Sequence, residues 1–460
     1  MKNKAEKSRI ASPYLLVLLS FVGVIIAGSV LLTLPLAHTN GEWGNYMDSL
    51  FIATSATCVT GLSTYANGIG AELTLFGQIV TLVMIQIGGL GFITIFAFII
   101  SIFQKKMKFK DRLFLSQAVN STNVADVGKF VGRVIKIVLT CEILGTLAGL
   151  PVFLQVPTYS FSDALWVSAF TSISAFNNAG FDIFGATSLI PGVGNAIIDS
   201  LPGWAYNYML SYIMVLIILG GISFVVIIEV FFLRKKPRQW SAFTKIVLLT
   251  TTILLLAGWG IFCVTDVING NMTVFEALFQ SVTTRTAGFS TIDQASLSHA
   301  GKVVSSLLMF IGGSPIGTAG GIKTTTFFMM VLTFIRFIQG RDVYAFRRQY
   351  SRISILKAMS LVFIAIMIIV IGFILLITFE ADNPLATVDA VFFETFSAFG
   401  TVGLSANLTP TVSLGSKIVL CVLMFFGRLG PISMFQIFQQ NMDKQESKHF
   451  EYISSDVIIG

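Results

Sequence analysis

Four short strings of related sequence decide the fold of this 460-residue chain. They are Thr57–Leu62 (TCVTGL), Phe176–Phe181 (FNNAGF), Thr284–Phe289 (TRTAGF) and Phe399–Leu404 (FGTVGL). The glycine shared by the strings stands at positions 61, 180, 288 and 403, at spacings of 119, 108 and 115 residues. A period of roughly 110 residues with the same internal order predicts four copies of one structural unit.

Each string follows a short amphipathic segment, and each segment lies between two long apolar runs. The short segments, 46–58, 163–177, 274–285 and 388–400, are too short as helices to cross a hydrocarbon core of about 30 Å. The long runs can cross it. They are 14–36, 74–103, 132–156, 206–233, 242–268, 303–337, 353–379 and 415–439. The sequence therefore predicts an all-α polytopic membrane protein with eight transmembrane helices and four re-entrant half-helices.

The composition excludes most soluble classes of protein. Hydrophobic residues make up 54% of the chain, charged residues 12%, and the mean hydropathy is +0.82, whereas a soluble protein carries about 25% charge. A cytosolic enzyme, a disordered chain and a nucleic-acid-binding protein are excluded, although the pI is near 9.2. The four cysteines and three histidines are scattered without a CxxC pair, so neither a disulfide framework nor a zinc site is predicted.

The distribution of basic residues predicts the orientation in the membrane. Of the 30 Lys and Arg residues, 25 lie in the N-terminus, in 104–136, 234–245 and 336–357, and in the C-terminal tail. By the positive-inside rule these segments and both termini are cytoplasmic. Each unit then has an even number of spans, so the copies are parallel, which favours a ring around one axis.

Four re-entrant helices that each end at a glycine predict a pore, because irregular backbone at membrane depth must be buried by protein or line an aqueous cavity. Glycine permits the backbone that a row of inward carbonyls requires, and carbonyl rings replace the hydration shell of a monovalent cation. For a single copy, a buried turn with a glycine cap explains the string better. Four equivalent copies favour the pore. Four acids near the helix N-termini are predicted to enrich cations at the outer mouth: Asp48, Asp163, Glu276 and Asp389.

The four strings resemble the filter loops of the Trk/Ktr/HKT superfamily of potassium transporters, and the Ktr-type membrane subunit is the closest match. The resemblance covers nearly the whole chain and implies four M1–pore helix–M2 repeats around a pseudo-fourfold pore. It implies a selectivity filter for K⁺ made of the following residues: Val59, Thr60, Gly61, Asn178, Ala179, Gly180, Thr286, Ala287, Gly288, Thr401, Val402 and Gly403. In the plant branch, serine at the first filter glycine accompanies Na⁺ transport, so Gly61 argues for K⁺.

The sixth apolar run contains a stretch of sequence that is incompatible with one continuous helix. Residues 303–337 would form a helix of about 52 Å, yet 312–321 (GGSPIGTAGG) hold five glycines and a proline. The string resembles the family's intramembrane gating loop below the filter, and the alternative is a packing kink. The residues implied in the gate are Gly312, Gly313, Ser314, Pro315, Gly317, Thr318, Ala319, Gly320, Gly321, Lys323 and Arg428.

Intramembrane charges are expected to be functional. Arg428 matches the family's arginine near the gate, where it would act as an electrostatic barrier. The alternative is a structural role, a salt bridge to a carboxylate or hydrogen bonds to loop carbonyls, and both roles can coexist. Arg285 is expected to brace the filter through pore-helix carboxylates, and Lys323 to cap the loop. Glu142 and Glu229 are expected to snorkel or to pair with cations, with no role in transport.

These expectations divide the chain into repeats and cytoplasmic segments. The repeats are 14–103, 132–233, 242–337 and 353–440. The cytoplasmic segments are 1–13, 104–131, 234–241, 338–352 and 441–460.

The resemblance also implies partners and a location. It implies a homodimer in the bacterial plasma membrane, with a cytosolic ring of nucleotide-binding regulatory subunits. The chain has no GxGxxG unit or P-loop of its own, so nucleotide control would come from that partner. K⁺ is the expected substrate, with no covalent cofactor, and whether Na⁺ stimulates transport is left open. The rival functions are a Na⁺-permissive transporter of the same fold and, remotely, a membrane-embedded enzyme.

Overall fold

The computed structural model describes residues 13–91, 127–185, 187–233 and 236–430. Fifteen α-helices lie in this part of the chain. They are α1 (Pro13–Thr33), α2 (Tyr46–Cys58), α3 (Ile69–Glu72), α4 (Leu75–Leu90), α5 (Val127–Phe153), α6 (Phe161–Asn177), α7 (Gly203–Gly221), α8 (Phe224–Ile228), α9 (Ala242–Phe262), α10 (Val274–Thr283), α11 (His299–Phe310), α12 (Thr324–Ile338), α13 (Arg352–Phe379), α14 (Val388–Gly400) and α15 (Leu414–Leu429). A hairpin of β1 (Tyr344–Ala345) and β2 (Arg348–Gln349) is the single sheet in the described residues.

Four helices of the described part are long and apolar enough to cross a membrane by length and composition. They are Phe130–Phe153, Gly203–Gly221, Ala242–Val267 and Arg352–Phe379. Shorter apolar helices accompany them, including Leu75–Leu90 and Thr324–Ile338. The predicted runs 74–103 and 415–439 extend into 92–126 and 431–460, which lie outside the described residues, as do most of the predicted loop 104–131 and the whole predicted tail.

Polar N-cap residues determine where the four short helices begin; these helices are α2, α6, α10 and α14. Each begins at a polar residue whose side chain accepts a backbone N–H of the first turn: Asn45, Ser160, Thr273 and Thr387. At 13, 17, 10 and 13 residues, they are about 15–26 Å long, which is less than the hydrocarbon thickness.

The short helices pack in a closed cyclic order. Each contacts the long helix before it in the sequence, and α2, α6 and α14 also contact the long helix after it. Each short helix also contacts a helix of the preceding group. These cross-group contacts are α2 with α15, α6 with α4, α10 with α7, and α14 with α11. Because the fourth group returns to the first, the four groups surround one central axis.

A second glycine pattern brings the long helices against the ends of the short ones. The strings IGG (87–89), LGG (219–221), IGG (311–313) and FGR (426–428) share a glycine at their second position. A β-carbon added to any of three of these glycines would collide with a backbone oxygen at the end of a short helix. The distances are 2.0 Å from Gly88 to α2, 1.7 Å from Gly220 to α6 and 1.9 Å from Gly427 to α14. These positions therefore require glycine for close helix packing.

Two long runs are interrupted in the structure. Residues 311–323, between α11 and α12, contain no helix. The run 206–233 was expected to be continuous, which is wrong: α7 ends at Gly221 and α8 starts at Phe224. The 311–323 segment causes this break, because Thr318 N donates to the Gly220 carbonyl at 3.2 Å and Phe224 N donates to the Ile316 carbonyl at 2.9 Å. These bonds replace the helical bond between Phe224 and Gly220.

We predict that Gly220→Ala destabilises the protein. Its β-carbon would lie 1.7 Å from the Phe176 carbonyl oxygen, and such overpacking costs about 1–3 kcal/mol. Gly260→Ala in α9 is the matched control, because nothing lies within 4 Å of its added β-carbon. It should be neutral or stabilising, since alanine is the better helix former. The stability of both variants is measured as the thermal unfolding midpoint in detergent. Equal midpoints for the two variants would contradict the close packing of Gly220 against α6.

Candidate functional site: a ring of four backbone strands

The four glycine strings meet around the central axis. We call residues 59–61, 178–180, 286–288 and 401–403 ring strands 1 to 4. A β-carbon added to the glycine of one strand would collide with a carbonyl oxygen of the next strand. That oxygen belongs to the middle residue of the next strand, which directly precedes its glycine. The distances are 2.6 Å from Gly61 to Ala179, 2.7 Å from Gly180 to Ala287, 2.3 Å from Gly288 to Val402 and 2.1 Å from Gly403 to Thr60. The contacts run from strand 1 to strand 4 and back, so the ring is closed.

The four ring strands share an uncommon backbone conformation. The first residue of each strand has a positive φ: 58° at Val59 and Asn178, 75° at Thr286 and 51° at Thr401. The glycines also have a positive φ, between 69° and 102°, whereas the middle residues do not. A left-handed conformation at β-branched valine and threonine is strained and persists only where the surroundings enforce it. The same left-handed conformation at four equivalent places, three of them β-branched, indicates a required geometry.

Hydrogen bonds to the short helices orient the peptide groups of the ring. In strand 1, Thr60 N donates to the Ser55 carbonyl at 2.8 Å, and Gly61 N donates to Ser55 Oγ at 3.1 Å. In strand 4, Val402 N and Gly403 N make the same two bonds to Ser397, at 2.9 and 3.2 Å. In a trans peptide the N–H and C=O groups point in opposite directions. The carbonyls of the first and middle residues of these strands therefore point away from the short helices.

The sequence interpretation missed these serines. Serine stands six residues before the ring glycine in strands 1, 2 and 4, at Ser55, Ser174 and Ser397. That repeated position was a visible signal. In strand 3 the short helix ends earlier, and Thr283 provides the support instead: its carbonyl accepts from Ala287 N at 2.9 Å, and its hydroxyl donates to the Phe289 carbonyl at 2.7 Å.

All four ring glycines line one cavity of about 180 Å³ on the side of the ring away from 311–323. Two carboxylates, Asp182 and Asp293, lie among its lining residues. Asp182 accepts hydrogen bonds from Ser188 Oγ at 2.5 Å and from Phe184 N at 3.1 Å. Burial raises the pKa of Asp182 to about 6, against these hydrogen bonds, which lower it.

The four acids at the starts of the short helices have structural partners. Asp48 binds Lys417 Nζ at 2.6 Å, and Asp389 binds Lys302 Nζ at 3.0 Å. A hydrogen bond from Thr387, together with Lys302, holds the pKa of Asp389 well below its usual range. Asp163 and Glu276 form capping boxes with Ser160 and Thr273. Two of these acids thus have a lysine counter-ion and two cap helices, and their expected enrichment of cations at the outer mouth stays a prediction.

The segment 311–323 lies against the other side of the ring. A β-carbon on Gly320 would lie 2.0 Å from Thr401 Oγ1 in strand 4, and the Asn178 amide of strand 2 lies 2.8 Å from Thr318 Oγ1. Lys323 Nζ donates to the Ala319 carbonyl at 2.6 Å, as expected of a residue that caps the loop. The structure thus brings the twelve predicted filter residues and the predicted gate segment together.

Arg428 joins three elements below the ring. Its guanidinium donates to the carbonyls of Thr318 and Gly88, and to that of Gly89 at 3.3 Å. Arg428 takes the place of the second glycine in the repeated string, which is Gly89, Gly221 or Gly313 in the other three groups. The hydrogen-bonding role expected for this arginine is thus present.

Arg285 and Glu142 have other partners than expected, and Glu229 binds the start of α9. Arg285 Nη2 donates to the Gly312 carbonyl at 2.8 Å, not to a pore-helix carboxylate. Glu142 accepts from Asn177 Nδ2 at 3.0 Å, and Glu229 accepts from Ser241 N at 2.9 Å. Glu394 was missed as a brace of α14. It accepts from Ala406 N at 3.1 Å and Thr409 Oγ1 at 2.9 Å, and its position within an otherwise apolar stretch (VFFETF) was the available signal.

Comparison with known proteins agrees with this architecture. A family model described as "TrkH: Cation transport protein" matches residues 4–450. The Ktr system potassium uptake protein B of Bacillus subtilis is 35% identical over 468 residues, covering 100% of this chain and 99% of its own. The potassium/sodium uptake protein NtpJ of Enterococcus hirae is 32% identical over 469 residues, with the same coverage.

A solved structure also has the same fold. The crystal structure of the potassium transporter TrkH from Vibrio parahaemolyticus superposes with a TM-score of 0.69, covering 94% of this chain and 86% of its own, at 18% identity. The fold and the family match thus define an all-α membrane protein of the cation-transport class. The chain belongs to the TrkH family of cation transport proteins.

We predict that Ser397→Ala destabilises the ring more than Ser174→Ala does. Ser397 Oγ accepts from Gly403 N, and a buried N–H left without an acceptor costs about 1–3 kcal/mol. Ser174 occupies the equivalent position, but its Oγ has no hydrogen-bond partner among the described residues. Thermal unfolding midpoints should fall for Ser397→Ala only. Equal losses would contradict the support role of this hydroxyl.

Proposed function

We propose that this protein takes up K⁺ across the plasma membrane as the ion-translocating subunit of a Ktr-type system. The observation that carries the proposal is the closed ring of four strands, with a carbonyl oxygen of each strand against the glycine of its neighbour. A ring of backbone oxygens replaces the hydration shell of a dehydrated monovalent cation. The names of the relatives from Bacillus subtilis and Enterococcus hirae support K⁺ as the ion.

In this proposal, the twelve ring-strand residues bind K⁺ through their backbone. The short helices point their C-terminal ends toward the ring, so their dipoles favour a cation there. The hydroxyls of Thr286 and Thr401 are buried and have no hydrogen-bond partner in the described part of the chain, so they are free to contribute oxygen ligands. The membrane potential supplies about 2.3 kcal/mol per charge for every 100 mV.

The loop 312–321, with Lys323 and Arg428, is proposed as the gate. Its support is the position of Thr318 and Gly320 against ring strands 2 and 4. The Arg428 guanidinium adds a positive charge close to the cation path, and its hydrogen bonds to Thr318 and Gly88 hold the loop against the neighbouring helix end. Opening requires these hydrogen bonds to break, so that the loop leaves the axis.

The proposal includes four parallel M1–pore helix–M2 repeats, a multi-pass location in the bacterial plasma membrane and cytoplasmic termini. The basic segments 104–136, 234–245 and 336–357 support this orientation by the positive-inside rule. It also includes a homodimer and a cytosolic ring of nucleotide-binding subunits, consistent with relatives whose names describe a Ktr system. Nucleotide would then act only through that partner.

A Na⁺-permissive transporter of the same fold is the second candidate function. It is favoured by the relative named a potassium/sodium uptake protein. Glycine at all four ring positions favours K⁺ instead. Sodium can stimulate transport or be co-transported in either of the two candidate functions. Measuring K⁺ uptake with and without external Na⁺ shows which role sodium has.

We predict that Gly288→Ser impairs K⁺ uptake and that Gly270→Ser does not. Both glycines have a positive φ, 87° and 76°, so the backbone strain of the substitution is matched. At Gly288 the new β-carbon would lie 2.3 Å from the Val402 carbonyl oxygen, whereas at Gly270 nothing lies within 4 Å. The measurement is growth of cells without their own K⁺ uptake at sub-millimolar K⁺, with the regulatory subunit co-expressed.

We expect wild type and Gly270→Ser to rescue growth, and Gly288→Ser to require about tenfold more K⁺, which corresponds to about 1.4 kcal/mol. Equal rescue by all three would mean that the ring is not the filter. No rescue by the wild type, with the protein present in the membrane, would contradict K⁺ uptake itself.

Asp182 predicts a pH dependence of K⁺ uptake. Since burial raises its pKa to about 6, this carboxyl is neutral below and charged above that pH in the cavity that the ring glycines share. The apparent KM for K⁺ should therefore rise as the external pH falls from 7 to 5. Asp182→Asn should have the high KM at every pH, whereas Asp293→Asn, from the same cavity, should keep the dependence. An Asp182→Asn variant with the wild-type pH profile would contradict this assignment.

A further inference from the structure

Two consecutive amide side chains stand at the junction of α6 and ring strand 2, and the other three ring strands have no such pair. Asn177 and Asn178 stand where the other strings have Cys58-Val59, Arg285-Thr286 and Gly400-Thr401. Both asparagines are fully buried. Burial of two amides beside a pore is costly unless each has partners, so their contacts indicate what this strand does.

Asn177 holds strand 2 to the helices behind it. Its Nδ2 lies 3.0 Å from Glu142 Oε1 in α5, 3.0 Å from Gln86 Oε1 in α4 and 2.9 Å from the Ile173 carbonyl in its own helix. Glu142 is itself 5% exposed, and its backbone carbonyl accepts from Ser172 Oγ at 2.8 Å. This cluster holds the side of the strand that faces away from the axis against α4 of the first group and α5 of the second.

Asn178 connects the same strand to the loop 312–321. Its amide lies 2.8 Å from Thr318 Oγ1. In the orientation that satisfies both ends of the amide, the oxygen accepts from Thr318 and from Gly221 N at 3.0 Å, and the nitrogen donates to the Ile217 carbonyl at 3.2 Å. The Thr318 hydroxyl also lies 3.2 Å from the Phe176 carbonyl at the end of α6. One hydroxyl of the loop thus contacts both the start of strand 2 and its pore helix.

Thr318 uses its backbone for different partners. Its N–H donates to the Gly220 carbonyl, and its carbonyl accepts from Arg428. Loss of the hydroxyl alone would leave both backbone bonds in place. Loss of Arg428 would release the loop from α15 and leave the Asn178 contact. The two contacts can therefore be separated by substitution.

We propose that the Thr318 hydroxyl and the Asn178 amide couple the loop to the selectivity of the ring, with ring strand 2 as the coupled strand. The inference rests on the proposed K⁺ uptake and on the loop as its gate. Asn178 has a left-handed backbone, with φ of 58°, and its peptide carbonyl precedes Ala179, whose N–H is held by Ser174 at 2.8 Å. Movement of the loop removes a hydrogen-bond partner from Asn178, so that the strand 2 carbonyls change position.

The alternative is that Thr318 only holds the loop in the closed position. Both readings predict faster transport when the contact is weakened. They differ in the ion preference, because a simple latch has no effect on the carbonyl ring. The preference for K⁺ over Na⁺ is therefore the readout that a merely structural role would not change.

The experiment compares four variants of the full chain in proteoliposomes, with K⁺ influx measured alone and against Na⁺ as competitor. Thr318→Val removes the hydroxyl and keeps the shape, and Thr318→Ser restores the hydroxyl. Thr326→Val makes the same chemical change in α12, one turn beyond the loop. Arg428→Gln breaks the other loop contact.

We expect Thr318→Val to raise the maximal K⁺ influx and to lower the preference for K⁺ over Na⁺ at least threefold. Thr318→Ser and Thr326→Val should match the wild type, and Arg428→Gln, which keeps the Asn178–Thr318 contact, should leave the preference unchanged. An unchanged preference in Thr318→Val, or an equal loss of preference in Arg428→Gln, would overturn the coupling. If Thr318→Val does not fold, Thr318→Ala tests the same prediction. Absence of K⁺ influx in the wild type would instead overturn the proposed function.

Discussion

The close approach of four backbone strands is the constraint on which the rest of this structure depends. At each ring glycine a carbonyl oxygen of the next strand occupies the space of a β-carbon, within 2.1–2.7 Å of its ideal position. Any other residue would push the strands apart. The strain at Val59, Thr286 and Thr401, about 1–3 kcal/mol for each such residue, is then a consequence of closing the ring.

The same constraint extends outward to the helices. Gly88, Gly220 and Gly427 allow the second long helix of their groups to reach the carbonyl end of the adjacent short helix. Those carbonyls belong to residues two positions before the ring strands, so helix packing fixes the position of the ring along the axis. In the third group the chain leaves the helical path at this level, and residues 311–323 lie against ring strands 2 and 4.

Local pattern was enough to predict the short helices, the ring strands and the non-helical loop, because caps, glycines and apolar run lengths are local properties. Contacts distant in sequence were not predictable. The break after Gly221 results from hydrogen bonds to the loop, about a hundred residues away. The pair of Asp48 with Lys417 joins residues 369 positions apart. The hairpin at 344–349 turns through Phe346 and Arg347, both with positive φ, which are not residues that mark such a turn.

Four copies in one chain allow differences that four identical subunits could not have. Arg428 stands where the other groups have glycine, and it donates to carbonyls of the first and third groups. Four arginines at this level would crowd four positive charges around one axis, each in need of acceptors. A single arginine can be satisfied by the carbonyl acceptors of Thr318, Gly88 and Gly89. Among the described residues, the loop lies in the third group and the paired asparagines lie in the second. The polar link from Glu142 through Asn177, Asn178 and Thr318 to Arg428 therefore passes through three different groups. The ring keeps its near-fourfold backbone because these differences lie in side chains and in the segment below it.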